Sequence, residues 1–230
     1  MIQNIHAIII ARGGSKGIPN KNIIQFCGQP LIVWTIKQCL KSKYINEIWV
    51  SSDSDKILDL ANSFNVNTIK RPKEYSSDKS SSEDAWLHAI DYIENLNQKI
   101  DLVVAPQVTS PLRESDDFDN AINIFFDKGY DSLFSASLAE DLFFWRAENE
   151  SLNSVNYDYR TRKRRQDIER QVIENGSFYL FSPELVRKTN NRLGGKIGFS
   201  EMSFWKMFEI DNPEDIRICS AIMKEFLLKD

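Results

Sequence analysis

The chain has 230 residues, 42% of them hydrophobic, and its 29 Lys and Arg against 33 Asp and Glu leave a formal net charge of −4. That length suffices for one substantial core, and the acidic balance argues against a general nucleic-acid binder, which presents a basic domain to phosphate. Cys27, Cys39 and Cys219 are odd in number and lack metal-ligand spacing, which suggests neither a disulfide framework nor a zinc site and fits a reducing cytoplasm. The first element is the apolar run ending in Ala7 to Ile10, a buried strand. It is too short to span a bilayer and carries no cleavage-site pattern, so neither a membrane span nor a leader is expected.

The strand runs into Ala11 to Asn22, a glycine-rich turn with Arg12, Lys16 and Lys21 around it. A turn of this kind at the end of a strand points backbone N–H groups at an anion, and three cations reinforce a preference for phosphate. Lys21 is followed by Asn22 and not by Ser or Thr, and Gly13, Gly14 and Gly17 do not give the dinucleotide spacing, so neither a Walker loop nor a Rossmann fingerprint is present. After Pro30, residues Leu31, Trp34, Ile36 and Leu40 fall near one helical face, as do Ile57, Leu58, Ala61 and Phe64. Further strands are predicted at Glu47 to Ser51, Asn67 to Ile69, Leu102 to Ala105 and Ser132 to Ala136. Ser115 with Asp116 and Asp117 reads as a helix start, the carboxylates serving the helix and not a metal. This alternation predicts an α/β fold with a mostly parallel sheet. It fails over residues 140–170, where Phe143-Phe144-Trp145 precedes a basic cluster, Arg160 to Arg165; exposed aromatics beside charge favour an interface there.

The run from Arg12 through Gly17-Ile18-Pro19 to Lys21-Asn22, then Cys27 to Ile32 and Trp34-Thr35, closely resembles the opening of the CMP-sialic acid synthetases, or acylneuraminate cytidylyltransferases, a family that includes CMP-legionaminic acid synthetases. The likeness continues through Arg71-Pro72, Asp78 to Ser82, Gln107, Thr109 to Arg113, Arg164 to Asp167, Glu174 to Tyr179, Gly194-Gly195 and Asp211. The resemblance implies a Rossmann-like nucleotidyltransferase fold with helices on both sheet faces, one cytidylyltransferase domain over 1–230, and a dimerisation arm over 140–170 that reaches the partner's site in a homodimer. It implies transfer of CMP from CTP to a nonulosonic acid, N-acetylneuraminic or a related sialic acid, with release of pyrophosphate and a requirement for Mg²⁺ or Mn²⁺. Legionaminic, pseudaminic and Kdo acids are alternative acceptors. A nucleotide-binding regulator without catalysis is the reading from another class, motivated by two departures: Val108 stands where the family has proline, and Glu209 where it has aspartate.

Ligands of open α/β sheets bind outside the carboxyl ends of the strands, where the candidate residues cluster. Arg12, Lys16 and Lys21 suit the CTP phosphates, with Arg12 and Lys21 as the electrophilic pair. By resemblance Asn22, Arg71, Ser80 and Ser82 meet the nucleotide, and Gln107, which donates and accepts, bridges nucleotide and sugar. A sugar carboxylate calls for a guanidinium; the family's essential arginine is Arg164 or Arg165, with Tyr179 also facing the sugar. Phe208 to Asp211 reads as a strand that places Glu209 and Asp211 on one face, before a helix starting at Asn212-Pro213, and these are the candidate metal ligands. Each type also has a structural use: Asn22 as a turn cap, Ser82 or Asp211 as a helix cap, Tyr179 as a core aromatic.

Overall fold

A computed structural model describes residues 4–14, 17–77, 80–139, 142–149 and 151–228, with the side chain of Arg165 excepted. The predicted first strand is β1 (Ile5–Ile10). A tight hairpin, β2 (Gln25–Phe26) and β3 (Gln29–Pro30), turns through Cys27 and Gly28, both at positive φ. Then follow α1 (Leu31–Lys41), β4 (Glu47–Ser52), α2 (Asp55–Asn62), β5 (Asn67–Lys70), α3 (Ser82–Asn95), β6 (Leu102–Pro106), α4 (Ser115–Lys128) and β7 (Ser132–Leu138). An outlying hairpin, β8 (Trp145–Glu148) and β9 (Ser151–Ser154), precedes β10 (Val172–Phe181), α5 (Pro183–Thr189), β11 (Ile197–Glu201) and α6 (Pro213–Phe226).

The seven-stranded sheet has the order β11-β7-β10-β6-β1-β4-β5. Its β1, β4, β5 and β6 run parallel, as do β7 and β11, and only β10 is antiparallel to its neighbours. The alternation of each strand splits the core between the two faces. Ala7, Ile9, Val104 and Leu180 pack with α1, α4 and α6, while Ile8, Val103, Tyr179 and Phe181 pack with α3 and α5. Helices therefore cover both faces, as expected.

Two expectations are corrected here. Leu40 is 51% exposed, because the buried stripe of α1 runs through Ile32, Val33, Ile36 and Cys39. Phe208 to Asp211 is an extended connection outside the sheet, its Ile210 N–H bonded to the Thr109 carbonyl at 2.8 Å instead of to a strand. Within 140–170, β8 and β9 form a separate exposed sheet whose Trp145 packs on Tyr157 and Tyr159. Phe144, Leu152 and Val155 remain exposed. Among the described residues no helix is long and apolar enough to cross a membrane.

Candidate active site

Three strands of the parallel block end at one place: Arg12 follows β1, Arg71 follows β5 and Gln107 follows β6. Between them lies a cavity of about 620 Å³, which Arg12, Lys21, Asn22, Arg71, Ser80, Ser82, Gln107, Glu209 and Asp211 all line. Residues separated by up to 199 positions thus converge at the carboxyl edge of the sheet, the position expected for an open α/β fold.

The glycine loop is held from outside. Asp53 accepts the Gly13 N–H at 2.8 Å, and the buried Asn22 donates its side-chain amide to the Arg12 carbonyl at 2.9 Å, bracing the loop as well as lining the cavity. A Cβ on Gly17 would lie 2.7 Å from the Asp211 carbonyl oxygen, so only glycine lets the loop and the Asp211 segment approach so closely. Lys16 lies outside the described residues.

Arg71 is 4% exposed; its Nε donates to Ser76 Oγ at 2.9 Å, and its Nη1 is buried without a partner among the described residues. Burial lowers its pKa, with Arg12 adding to the effect and Asp53 opposing it. A buried guanidinium with an unmet donor on a cavity wall is prepared for an acceptor from a ligand. Ser80 accepts the Ser77 N–H and donates to the Glu74 carbonyl, which orders the loop beside Arg71. The cap of α3 is Ser81, reciprocated by Asp84, so Ser82 is relieved of the capping alternative and stands on the cavity wall in the first helical turn.

Opposite, Lys21 Nζ meets Asp211 Oδ1 at 2.6 Å. Asp211 does not cap α6 with its side chain; Asp215 takes the Asp211 and Asn212 N–H groups instead. Burial, then the charge of Asp211 and a hydrogen bond with it, raises the Glu209 pKa, while Lys21 pulls the other way. A carboxyl whose ionisation is opposed by burial and by a neighbouring carboxylate favours the approach of a further cation.

Two predicted residues are not brought to this cavity. Tyr179 is 4% exposed in β10, bonded through its hydroxyl to Glu174 and covered by the Arg192 guanidinium, so within this chain it is a core aromatic. Arg164 is solvent-exposed and paired with Asp167 at 2.9 Å, in the segment that follows the outlying hairpin. The Arg165 side chain lies outside the described residues. Conversely, Tyr75 and Trp86 line the cavity although no motif marks them, and Thr109, part of the family likeness but given no role there, lines it too. The apolar spacing of α3 marks Trp86 as core, which it also is, and nothing in the sequence distinguishes its cavity-facing edge.

The chain matches the family model described as cytidylyltransferase over residues 6–226. It is 35% identical over 213 residues to N-acylneuraminate cytidylyltransferase A of Danio rerio, covering 91% of this chain and 48% of that protein. The chain thus spans about half the length of that relative. It is 34% identical over 177 residues to a pseudaminic acid cytidylyltransferase of Campylobacter jejuni, covering 75% of each. Among solved structures it superimposes on a CMP:2-keto-3-deoxy-manno-octonic acid synthetase complexed with CTP with a TM-score of 0.73, at 16% identity, covering 98% of this chain and 100% of the other.

Proposed function

The chain belongs to the cytidylyltransferase family, and from that membership we propose that it couples CTP to a nonulosonic acid, N-acetylneuraminic acid or a close relative, giving the CMP-sugar and pyrophosphate. The observation that carries the reading is a cavity at the carboxyl edge of the parallel strands lined by three basic residues, Arg12, Lys21 and Arg71, and by the carboxylates Glu209 and Asp211. The anomeric hydroxyl of the acid attacks the α-phosphorus of CTP; the new P–O bond forms as the bond from the α-phosphorus to the oxygen bridging to the β-phosphate breaks, pyrophosphate leaves, and the hydroxyl proton is released to water. Arg12 and Lys21 are assigned to the leaving pyrophosphate, where interactions that strengthen as charge moves outward accelerate the step. Arg71, Ser80, Ser82 and Asn22 are assigned to the nucleotide, and Gln107 to the junction of nucleotide and sugar.

Among the described residues no group of three or more His, Cys, Asp or Glu is placed to hold a metal ion. The donor set nevertheless fits Mg²⁺, which takes one or two carboxylates and completes its shell with phosphate and water oxygens. Asp211, with Glu209 beside it, would hold the ion; bound there, it neutralises triphosphate charge and polarises the phosphoryl group. Mn²⁺ suits the same ligands.

Legionaminic acid is the first alternative acceptor, and the 34% identity to a pseudaminic acid cytidylyltransferase, in an alignment covering 75% of each chain, supports pseudaminic acid as a further one beside Kdo. The test is pyrophosphate release from CTP and Mg²⁺ with N-acetylneuraminic, diacetyllegionaminic, pseudaminic and Kdo acids in parallel. Release with N-acetylneuraminic acid is expected. Release with another acid alone reassigns the acceptor, and CTP binding without release from any acid replaces the enzyme with a nucleotide-binding regulator.

A further inference from the structure

Beneath the cavity floor lies a cation that the reaction scheme leaves unused. Arg113 is 1% exposed and has no carboxylate in hydrogen-bond reach among its described partners. Its Nη1 donates to the Ser177 carbonyl at 2.7 Å and to Ser177 Oγ at 3.1 Å; its Nη2 donates to Thr35 Oγ1 at 2.7 Å and to the Gln107 carbonyl at 2.8 Å. One rigid fork therefore ties α1, the end of β6 and the middle of β10 together. The Ser177 carbonyl also accepts the Gln107 N–H at 2.9 Å, so Gln107 is clamped at both its amide and its carbonyl. The Arg113 Cζ lies over the Phe118 ring, 5.5 Å from its centroid, so the ring backs the fork.

We propose that Arg113 is a positioning residue for the transfer: it sets the backbone of Gln107, and through it the amide that meets the substrates. The inference rests on the assignment of Gln107 to the ligands in the proposed function. A guanidinium is isolated in the core at a large desolvation cost, and an apolar side chain of similar length would fill the space. What that side chain would lack is the set of four hydrogen bonds that joins the Gln107 carbonyl to Ser177 in β10 and to Thr35 in α1. The Gln107 side chain, about 4 Å from the ideal Cβ position of Gly176 and lining the cavity, moves with any tilt of that backbone.

The test is a double-mutant cycle on the full chain. Arg113→Met and Arg113→Lys are expected to lower kcat/KM for CTP by about 10- to 100-fold, the scale of a small misplacement in a reacting complex, with Lys the milder. Thr35→Val, which removes a single acceptor and keeps the shape, should lower it by a few-fold, and serves if the Arg113 variants do not fold. In a Gln107→Ala background the same substitutions should cost nothing further, whereas a residue that only stabilises the fold would leave the Gln107 cycle additive. Additive losses, or a lowered thermal midpoint with unchanged kcat/KM, overturn the proposal. Full activity of Gln107→Ala overturns it as well. If the parent protein releases no pyrophosphate with any acid, the functional reading fails. The cycle on the CTP dissociation constant, measured by calorimetry, then decides the Arg113 assignment by the same additivity criterion, and no CTP binding at all overturns both.

Discussion

At the residue scale the site turns on Asp211. Its carboxylate is 55% exposed, so the ion pair with Lys21 contributes at most about 1 kcal/mol to folding. Its value is local: it anchors Lys21 in the cavity, it raises the Glu209 pKa, and in the proposed scheme it holds the metal. Asp211→Asn keeps the shape and the backbone bonds to Asp215, so the thermal midpoint should shift by no more than a few degrees. Turnover should fall about 100-fold or more, since charge stabilisation at a metal-assisted transition state is worth several kcal/mol. The check is pyrophosphate release titrated with Mg²⁺ beside a melting curve. A near-parental rate at limiting Mg²⁺ removes Asp211 from the metal site.

At the scale of the element, β10 is the part of the sheet that differs from its neighbours. It is the lone antiparallel strand, and its register with β7 shifts between Glu174 and Tyr179. Gly176 sits in that irregularity at φ 65, where an added Cβ would meet Glu209 Oε2 at 3.5 Å and Gln107 Nε2 at 3.9 Å, both ordinary contacts. The cost of Gly176→Ala is therefore conformational, about 1–2 kcal/mol, and the thermal midpoint should fall by about 2–8 °C. No change in midpoint would mean that the strand relaxes out of the left-handed conformation. The strands at Ala7 to Ile10, Glu47 to Ser51, Leu102 to Ala105 and Ser132 to Ala136 were legible because each carries an apolar stretch between helical patterns, whereas Phe208 to Asp211 showed a strand-like alternation that the sheet does not use; the cavity was legible because its residues follow strand ends. The role of β10 was obscured because Asn175-Gly176-Ser177 interrupts its apolar pattern. The burial of Arg113 was illegible for a related reason: nothing local to a Pro-Leu-Arg sequence announces that Thr35, Gln107 and Ser177 will surround it.

At the scale of the whole molecule, the cavity and Arg164 lie in different parts of one chain. Arg164, one of the two arginines that the family resemblance offers for the sugar carboxylate, is exposed beyond a hairpin flanked by the exposed Phe144 and Val155 and carrying the exposed Leu152. Exposed apolar side chains beside charge fit an interface with a second copy, and the family resemblance implies an arm that reaches the partner's site. A homodimer, which the resemblance implies, would account for both the exposed arm and the absence of Arg164 from the cavity lining. It also makes an arithmetic prediction. If sugar recognition comes from the partner, a dimer of one Arg164→Ala copy and one Asp211→Asn copy contains one site with both defects and one intact site. Random re-pairing of equal amounts makes half the dimers mixed, so about a quarter of all sites recover. Pyrophosphate release should rise from near zero for either variant alone to about a quarter of the parental rate after co-refolding, with sedimentation confirming dimers. If the two residues serve the same chain's site, every site in the mixture carries a defect, and no recovery appears at any ratio.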